Sequence, residues 1–192
     1  MEAEVHVNDP TNSYTLCIDK FGNAKTIDRV RNAINDGRCF DFSYNFSNVL
    51  NNGYCDIYID NDLTIDNQSY FFKLIDVQSS GDFIITNYKT PALSNEGTAL
   101  ATYNFDSTNT ETFPVAIKHS PTVTEAGTQI SPAYKVLVES SIGSASAISS
   151  RGNEYSRGGD TDHTYLIRVQ NVSGDTISDI SVYGRVILQG TC

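Results

Sequence analysis

The alternation of apolar and polar positions changes character along the chain. Residues 1–12 are polar and carry Pro10, which reads as an extended arm. Residues 13–18 (SYTLCI) alternate Tyr14, Leu16 and Ile18 with polar neighbours and predict a first strand. Residues 26–36 (TIDRVRNAIND) switch to a helical period. Ile27, Val30, Ala33 and Ile34 fall on one face, Thr26 or Asn23 can cap the start, and Gly37 stands at the C′ position. Such a helix of about three turns needs a surface to pack on.

From Cys39 onward the period is two. CFDFSYNFSNV puts Phe40, Phe42, Tyr44 and Phe46 on one face and Asp41, Ser43 and Asn45 on the other. Asn51-Asn52-Gly53 is a hairpin-type turn, and YCDIYID then alternates Cys55, Ile57 and Ile59 against Tyr54, Asp56, Tyr58 and Asp60. Further strands are predicted over Tyr70–Val77, Phe83–Tyr88, Phe113–Lys118, Tyr134–Glu139, Thr164–Gln170 and Ile177–Leu188, the last with a bulge at Tyr183-Gly184. The connections are too short for crossover helices. The expected fold is therefore all-β: an antiparallel β-sandwich, jelly-roll or Ig-like, over residues 39–192, preceded by an N-terminal arm with one short helix over residues 1–38.

Two segments read as loops: residues 90–111, and the Ser/Gly-rich residues 140–163. One internal echo, Gly97-Thr98-Ala99-Leu100 and Gly127-Thr128-Gln129-Ile130, is read as two similar turns entering strands of the two sheets.

Composition narrows the function classes. The 192 residues include 20 Ser, 18 Thr and 17 Asn, so polarity comes mainly from uncharged groups. Net charge is −10, with a pI near 4.5. An acidic chain without a basic patch is repelled by nucleic acid. No stretch has the length and apolarity of a membrane span, and the start lacks the pattern of a signal peptide. Neither nucleic acid nor membrane is expected as a partner.

Candidate chemistry is sparse. Cys17, Cys39, Cys55 and Cys192 form no C-x-x-C pair. Cys39 and Cys55 are expected as buried free thiols; the alternative has them facing each other across a sheet. No nucleophile elbow, phosphate loop or zinc motif occurs, so no enzymatic activity and no cofactor are expected. Asp56, Asp60, Asp62 and Asp66 resemble the start of a calcium loop, but they lack its central Gly, and Phe71 stands where the bidentate Glu belongs. A solvated acidic strand end is the simpler reading. Asp160, Asp162 and His163 read as loop solubility. The N-x-S/T triplets at Asn45, Asn67 and Asn171 are about as many as this composition gives by chance.

The C-terminal half carries a resemblance. A Gly-Thr turn with a polar stretch (GTALATYNFDSTNTET) is followed by a strand and PTVTEAGTQI. Next come a strand, a Ser/Gly loop with Asn153-Glu154-Tyr155, and TYLIRVQNVSGDTISDISVYGRVIL. This order resembles small virion-associated proteins of tailed bacteriophages found beside the major capsid protein, whose last strands read much like "NEW…TYLIRVTN". Thr164 to Asn171 match closely, and Tyr155 replaces Trp. DGRCFDFSYNF fits the earlier part of the pattern more loosely, and the first 35 residues fall outside it. The resemblance implies a head-decoration, cement or head-fibre protein.

The expected function follows: a capsid decoration protein on the outer surface of the virion, assembled in the host cytoplasm and bound to the major capsid protein. A homo-oligomer is expected, a trimer foremost, so that symmetry multiplies weak contacts. Residues 1–35 are the expected docking element, with Ile27, Val30 and Ile34 as its apolar face; packing of that face onto its own domain is the rival reading. The alternative function is a receptor- or glycan-binding virion module of tail or head fibre, using residues 90–111 and 140–163 with Tyr155.

Overall fold

A computed structural model describes residues 3–8, 13–18, 37–60, 69–108, 116–138, 145–147, 155–157 and 164–189. Every regular element among them is a strand, and all pairings are antiparallel. The predicted helix over 26–36 lies outside the described residues.

The strands are β1 (Ala3–Asn8), β2 (Ser13–Ile18), β3 (Cys39–Val49), β4 (Tyr54–Asp60), β5 (Ser69–Ser79), β6 (Phe83–Lys89), β7 (Ala92–Asn95), β8 (Thr98–Ala99) and β9 (Tyr103–Asn104). They continue as β10 (Ala116–His119), β11 (Thr122–Glu125), β12 (Thr128–Gln129), β13 (Tyr134–Val136), β14 (Ala145–Ala147), β15 (Tyr155–Arg157), β16 (Tyr165–Asn171) and β17 (Ile177–Gln189). The first large sheet has the order β12-β6-β16-β4-β10-β8, with β13 also on β6. The second has the order β14-β5-β17-β3-β9, with β15 also on β5.

One continuous core joins the two sheets. Phe40, Phe42, Phe46, Val77, Ile180, Val182 and Val186 come from the second sheet; Cys55, Ile57, Ile59, Phe83, Ile85, Ile117, Ile167 and Val169 come from the first. The period-two pattern of β3 and β4 places these side chains. At the end of β3 the phase changes. Asn48 takes a positive φ of 54°, and Val49 rather than Asn48 is buried. Val49 pairs with Ile177, which is also buried, so β17 changes phase at the same step.

The Asn51-Asn52-Gly53 turn forms, with Asn52 at φ 61° and Gly53 N–H donating to Leu50 O at 2.8 Å. It does not make β3 and β4 neighbours in one sheet, as the sequence suggested: β3 belongs to the second sheet and β4 to the first. The turn is held instead by Asn171. Asn52 N–H donates to Asn171 O (2.9 Å), and Asn171 N–H donates to Gly53 O (3.0 Å). The Asn171 amide donates to Val49 O (2.9 Å) and Asp175 O (2.7 Å) and accepts from Ser173 N–H (3.0 Å). Val172 N–H adds a bond to Asp82 O (2.9 Å). Three corners between the sheets are thus tied together at one end. Cys39 and Cys55, placed in different sheets, are both buried and free.

The segment over 90–111 is not a plain loop. It contains β7, β8 and β9, too short for periodicity to reveal. The echo is also longer than four residues. Thr90-Pro91 and Ser120-Pro121 open two copies that run to Leu100 and Ile130, 30 positions apart. Both copies leave the first sheet, not one from each. Thr90 and Ser120 take φ 54° and 52°, and Gly97 and Gly127 take φ 90° and 85°. β7 pairs with β11; Thr98 of β8 lies opposite His119, and Thr128 of β12 opposite Lys89, the equivalent positions. Leu100 N–H donates to Ile117 O (2.7 Å) as Ile130 N–H donates to Asn87 O (2.9 Å).

These arms strap the sheet. β6 and β8 lie four strand spacings apart in the first sheet, about 19 Å, and residues 90–97 span about 26 Å when extended. β7 must therefore cross the sheet, and β11 returns beside it. The core occupies one face, so the pair crosses the other. There Leu166, Tyr58 and Thr86 are buried, and Lys118 forms an ion pair with Glu96 beyond the end of β7.

Candidate interaction site

The strapped face carries its charges in pairs. Asp56 and Arg168 are directly opposed on β4 and β16. Arg168 Nε and Nη2 donate to the two Asp56 oxygens at 2.8 and 2.7 Å, a bidentate contact with little solvent access. The guanidinium lies over the Tyr54 ring, 4.1 Å from its centroid, and 5.9 Å from that of Tyr88. Asp60 takes Lys118 at 3.1 Å. Glu96 and Asp60 hold the Lys118 ammonium above its ordinary range against the opposing effect of burial. Two of the four aspartates of the calcium-like pattern are therefore bound to cations; Asp62 and Asp66 lie outside the described residues. No group of three or more His, Cys, Asp or Glu among the described residues is arranged to hold a metal ion.

The second sheet presents its polar face along β3 and β17. Arg185 donates to Asp41 from Nε (2.6 Å) and Nη2 (3.0 Å) and lies over the Phe105 ring at 4.5 Å. Tyr183 Oη also donates to Asp41. Burial, then that hydrogen bond, raise the phenol's pKa. Further along, Asp179 accepts from Asn45 (3.2 Å) and Ser47 (3.3 Å), and Ser181 donates to Asn45 (3.1 Å). This ladder of neutral donors around one exposed carboxylate continues to the end of β3.

A cleft of about 480 Å³ opens beside that end. It is lined by Tyr44 to Leu50 of β3 and the following turn, by Gly53, Tyr54 and Cys55, and by Ser120. Leu50 and Tyr54 stand at its rim, 67% and 54% exposed. At its inner end Tyr44 of β3 stacks on His119 of β10, centroids 3.6 Å apart and planes 19° apart, and meets Phe46 edge-on at 4.8 Å. His119 Nδ1 is 3.1 Å from Ser120 Oγ. Desolvation holds the imidazole below its ordinary pKa. Burial pushes the Cys55 thiol up to about 12, so it lies at the cleft as a neutral apolar group.

Of the partner-binding residues picked from the sequence, only Tyr155 is among the described residues, and it is not in the cleft lining. Tyr155 is on β15, opposite Phe72 of β5. Ile27, Val30 and Ile34 lie outside the described residues, as do Asp160, Asp162 and His163. Sequence reading missed Tyr44 as a site residue because it sits in a run of core aromatics; His119 gave no signal, since its partner is 75 positions away. Asn171 is fully buried with its amide saturated, so its N-x-S triplet is architectural.

Near the start of the chain, β1 and β2 form a ribbon that, among the described residues, pairs with neither large sheet. Residues 1–12 were expected as an extended arm; within them AEVHVN forms a strand and also alternates. Its register places Ala3, Val5 and Val7 opposite Ile18, Leu16 and Tyr14, so the apolar positions of both strands share one face.

Among the described residues, fold and site together define an all-β protein with two large antiparallel sheets, one strapped by crossing arms, and a polar-aromatic cleft at their shared edge. No protein-family profile, curated protein or solved structure matches the chain.

Proposed function

We propose that this chain is a non-enzymatic decoration or cement protein of a tailed-phage head, binding the outer surface of the major capsid protein and stabilising the shell. The two sheets are read as a sandwich of jelly-roll or Ig-like kind. The observation that carries the proposal is the β1·β2 ribbon. It gathers Ala3, Val5, Val7, Tyr14, Leu16 and Ile18 on one face, and a two-stranded ribbon is marginal without a surface to pack on. A capsid protomer supplies that surface, and repetition over a symmetric shell turns one weak contact into stable coverage. The resemblance adds phage context: TYLIRVQN spans β16, a central strand of the first sheet. A net charge of −10 suits the outer shell better than the DNA-facing wall.

The test is deletion of residues 1–35. Full-length protein is expected to cover expanded capsids, and the truncated protein to lose most of its occupancy. Undiminished occupancy sinks the docking assignment.

A second reading, a glycan- or receptor-binding virion module, is favoured by the cleft, where Tyr44 and Tyr54 sit beside Asn45 and Asn48. Copy number separates the two. Hundreds per particle support decoration; a few at a tail support receptor binding.

A further inference from the structure

Among the described residues, β3 is an edge strand beyond Asp41. On one side β17 pairs with it from Cys39 to Val49. On the other side β9 covers only Phe40 and Asp41. Beyond Asp41, no backbone partner lies on that side among the described residues. Cys39 O accepts from Phe105 N–H at 2.7 Å, so the backbone groups of Cys39 point toward β9. In an antiparallel strand both groups of a residue point the same way, and the direction alternates. Ser43, Asn45 and Ser47 therefore turn three N–H and three C=O groups outward along one open edge.

Such edges are normally blunted by charge, proline or a cover. SYNFS, residues 43–47, has neither charge nor proline, and no strand covers it among the described residues. The edge runs beside the cleft, which Tyr44 to Ser47 line. Below it the first sheet reaches further out. Tyr44 stacks on His119 of β10, and β8 adds one more strand past β10. The result is a shelf one strand wide: wall β3, floor β10 and β8. A second copy pairing edge to edge would bring its own β10 and β8 into the same space. A single extended segment fits.

We propose that the open edge of β3, from Ser43 to Ser47, binds an extended peptide segment of a partner protein as an added antiparallel strand. The segment alternates apolar residues toward Tyr44 and His119 with polar or basic residues toward solvent, because Asp179 and its Asn45–Ser47 donors occupy the solvent side and the chain is acidic. Backbone bonds supply affinity, and the Tyr44–His119 floor with the Leu50 and Tyr54 rim supplies selectivity. This rests on the reading of the chain as a binding module and names a partner's chemistry for the cleft.

The probe is a capped nine-residue peptide of valine alternating with threonine and lysine, titrated against the full chain. Wild type is expected to bind and to gain hydrogen-exchange protection at Ser43, Asn45 and Ser47. Asn45→Pro removes one outward N–H while sparing the β17 ladder, and is expected to weaken binding by about ten-fold or more. Asn45→Ala keeps the N–H and should weaken binding much less than Asn45→Pro does. N-methylating the peptide on the amides facing β3 should abolish binding; methylating the alternate amides should not. That pair keeps the test decisive if Asn45→Pro folds poorly. No binding by wild type, equal binding by Asn45→Pro when folded, or indifference to methylation parity overturns the proposal. Capsid occupancy after deletion of residues 1–35 is a separate readout, so either reading can fail alone.

Discussion

The ring of Phe42 on β3 occupies the space that a β-carbon would take on Gly184, its directly opposed partner on β17. Both residues are buried at the centre of the second sheet. At the same step β17 shifts register against β5, where Tyr183 faces Asp76 but Gly184 faces Leu74, leaving Ile75 as the extra residue. Glycine is needed here for room, since its φ is not in the left-handed range. Gly184→Ala is expected to destabilise the chain by about 1–3 kcal/mol through overpacking. Urea unfolding measures it, and Gly184→Ala combined with Phe42→Leu should recover part of the loss. An unchanged midpoint for the single variant refutes the contact.

The Asp56–Arg168 pair lies on the strapped face with both side chains largely shielded. Arg168→Ala strands a carboxylate there and is expected to cost about 3–5 kcal/mol. Replacing both, Asp56→Val with Arg168→Leu, should cost much less, because no unpaired charge remains. Equal losses for single and double variants would show that the pairing itself is not what matters.

His119 links stability to pH. Its folded pKa is held below the ordinary 6.5 by desolvation, so the unfolded chain binds the proton more readily. The neutral ring's contribution is complete above about pH 6.5. It is lost as pH falls through the interval down to the folded pKa, and the slope then levels off. His119→Phe keeps a ring on Tyr44 and removes the titration. Its stability should vary less over that interval than wild type's; identical profiles would remove His119 as the cause.

The two arms predict matched responses. A β-carbon on Gly97 would strike His119 O, and one on Gly127 would strike Lys89 O, each at a φ that disfavours side chains. Gly97→Ala and Gly127→Ala should each lower the melting temperature, by similar amounts, since the clash and the strain are equivalent. Each substitution is expected to cost more than the roughly 1 kcal/mol that a compatible Gly→Ala change can gain. A large loss at one site with none at the other would mean that the arms are not mechanically equivalent.

The sequence carried a good deal of this. Period two in CFDFSYNF and YCDIYID determined which side chains form the core, because a strand turns alternate residues to opposite faces. The helical period over 26–36 falls on residues outside those described, and the alternation of Ala3–Asn8 is legible in AEVHVN, although the polar content and Pro10 of residues 1–12 read as an extended arm. What tertiary structure decided was partnership. Asn51-Asn52-Gly53 looks like a turn between paired strands, yet β3 and β4 lie in different sheets and the turn bonds to Asn171 instead. The repeat over 90–100 and 120–130 is written in the chain, but nothing local says that the copies cross and clasp each other. Tyr44 and His119 meet only once both sheets are stacked. Local pattern fixes the inward side of each strand; which strands lie side by side depends on distant backbone groups finding one another, and no short window of residues contains that information.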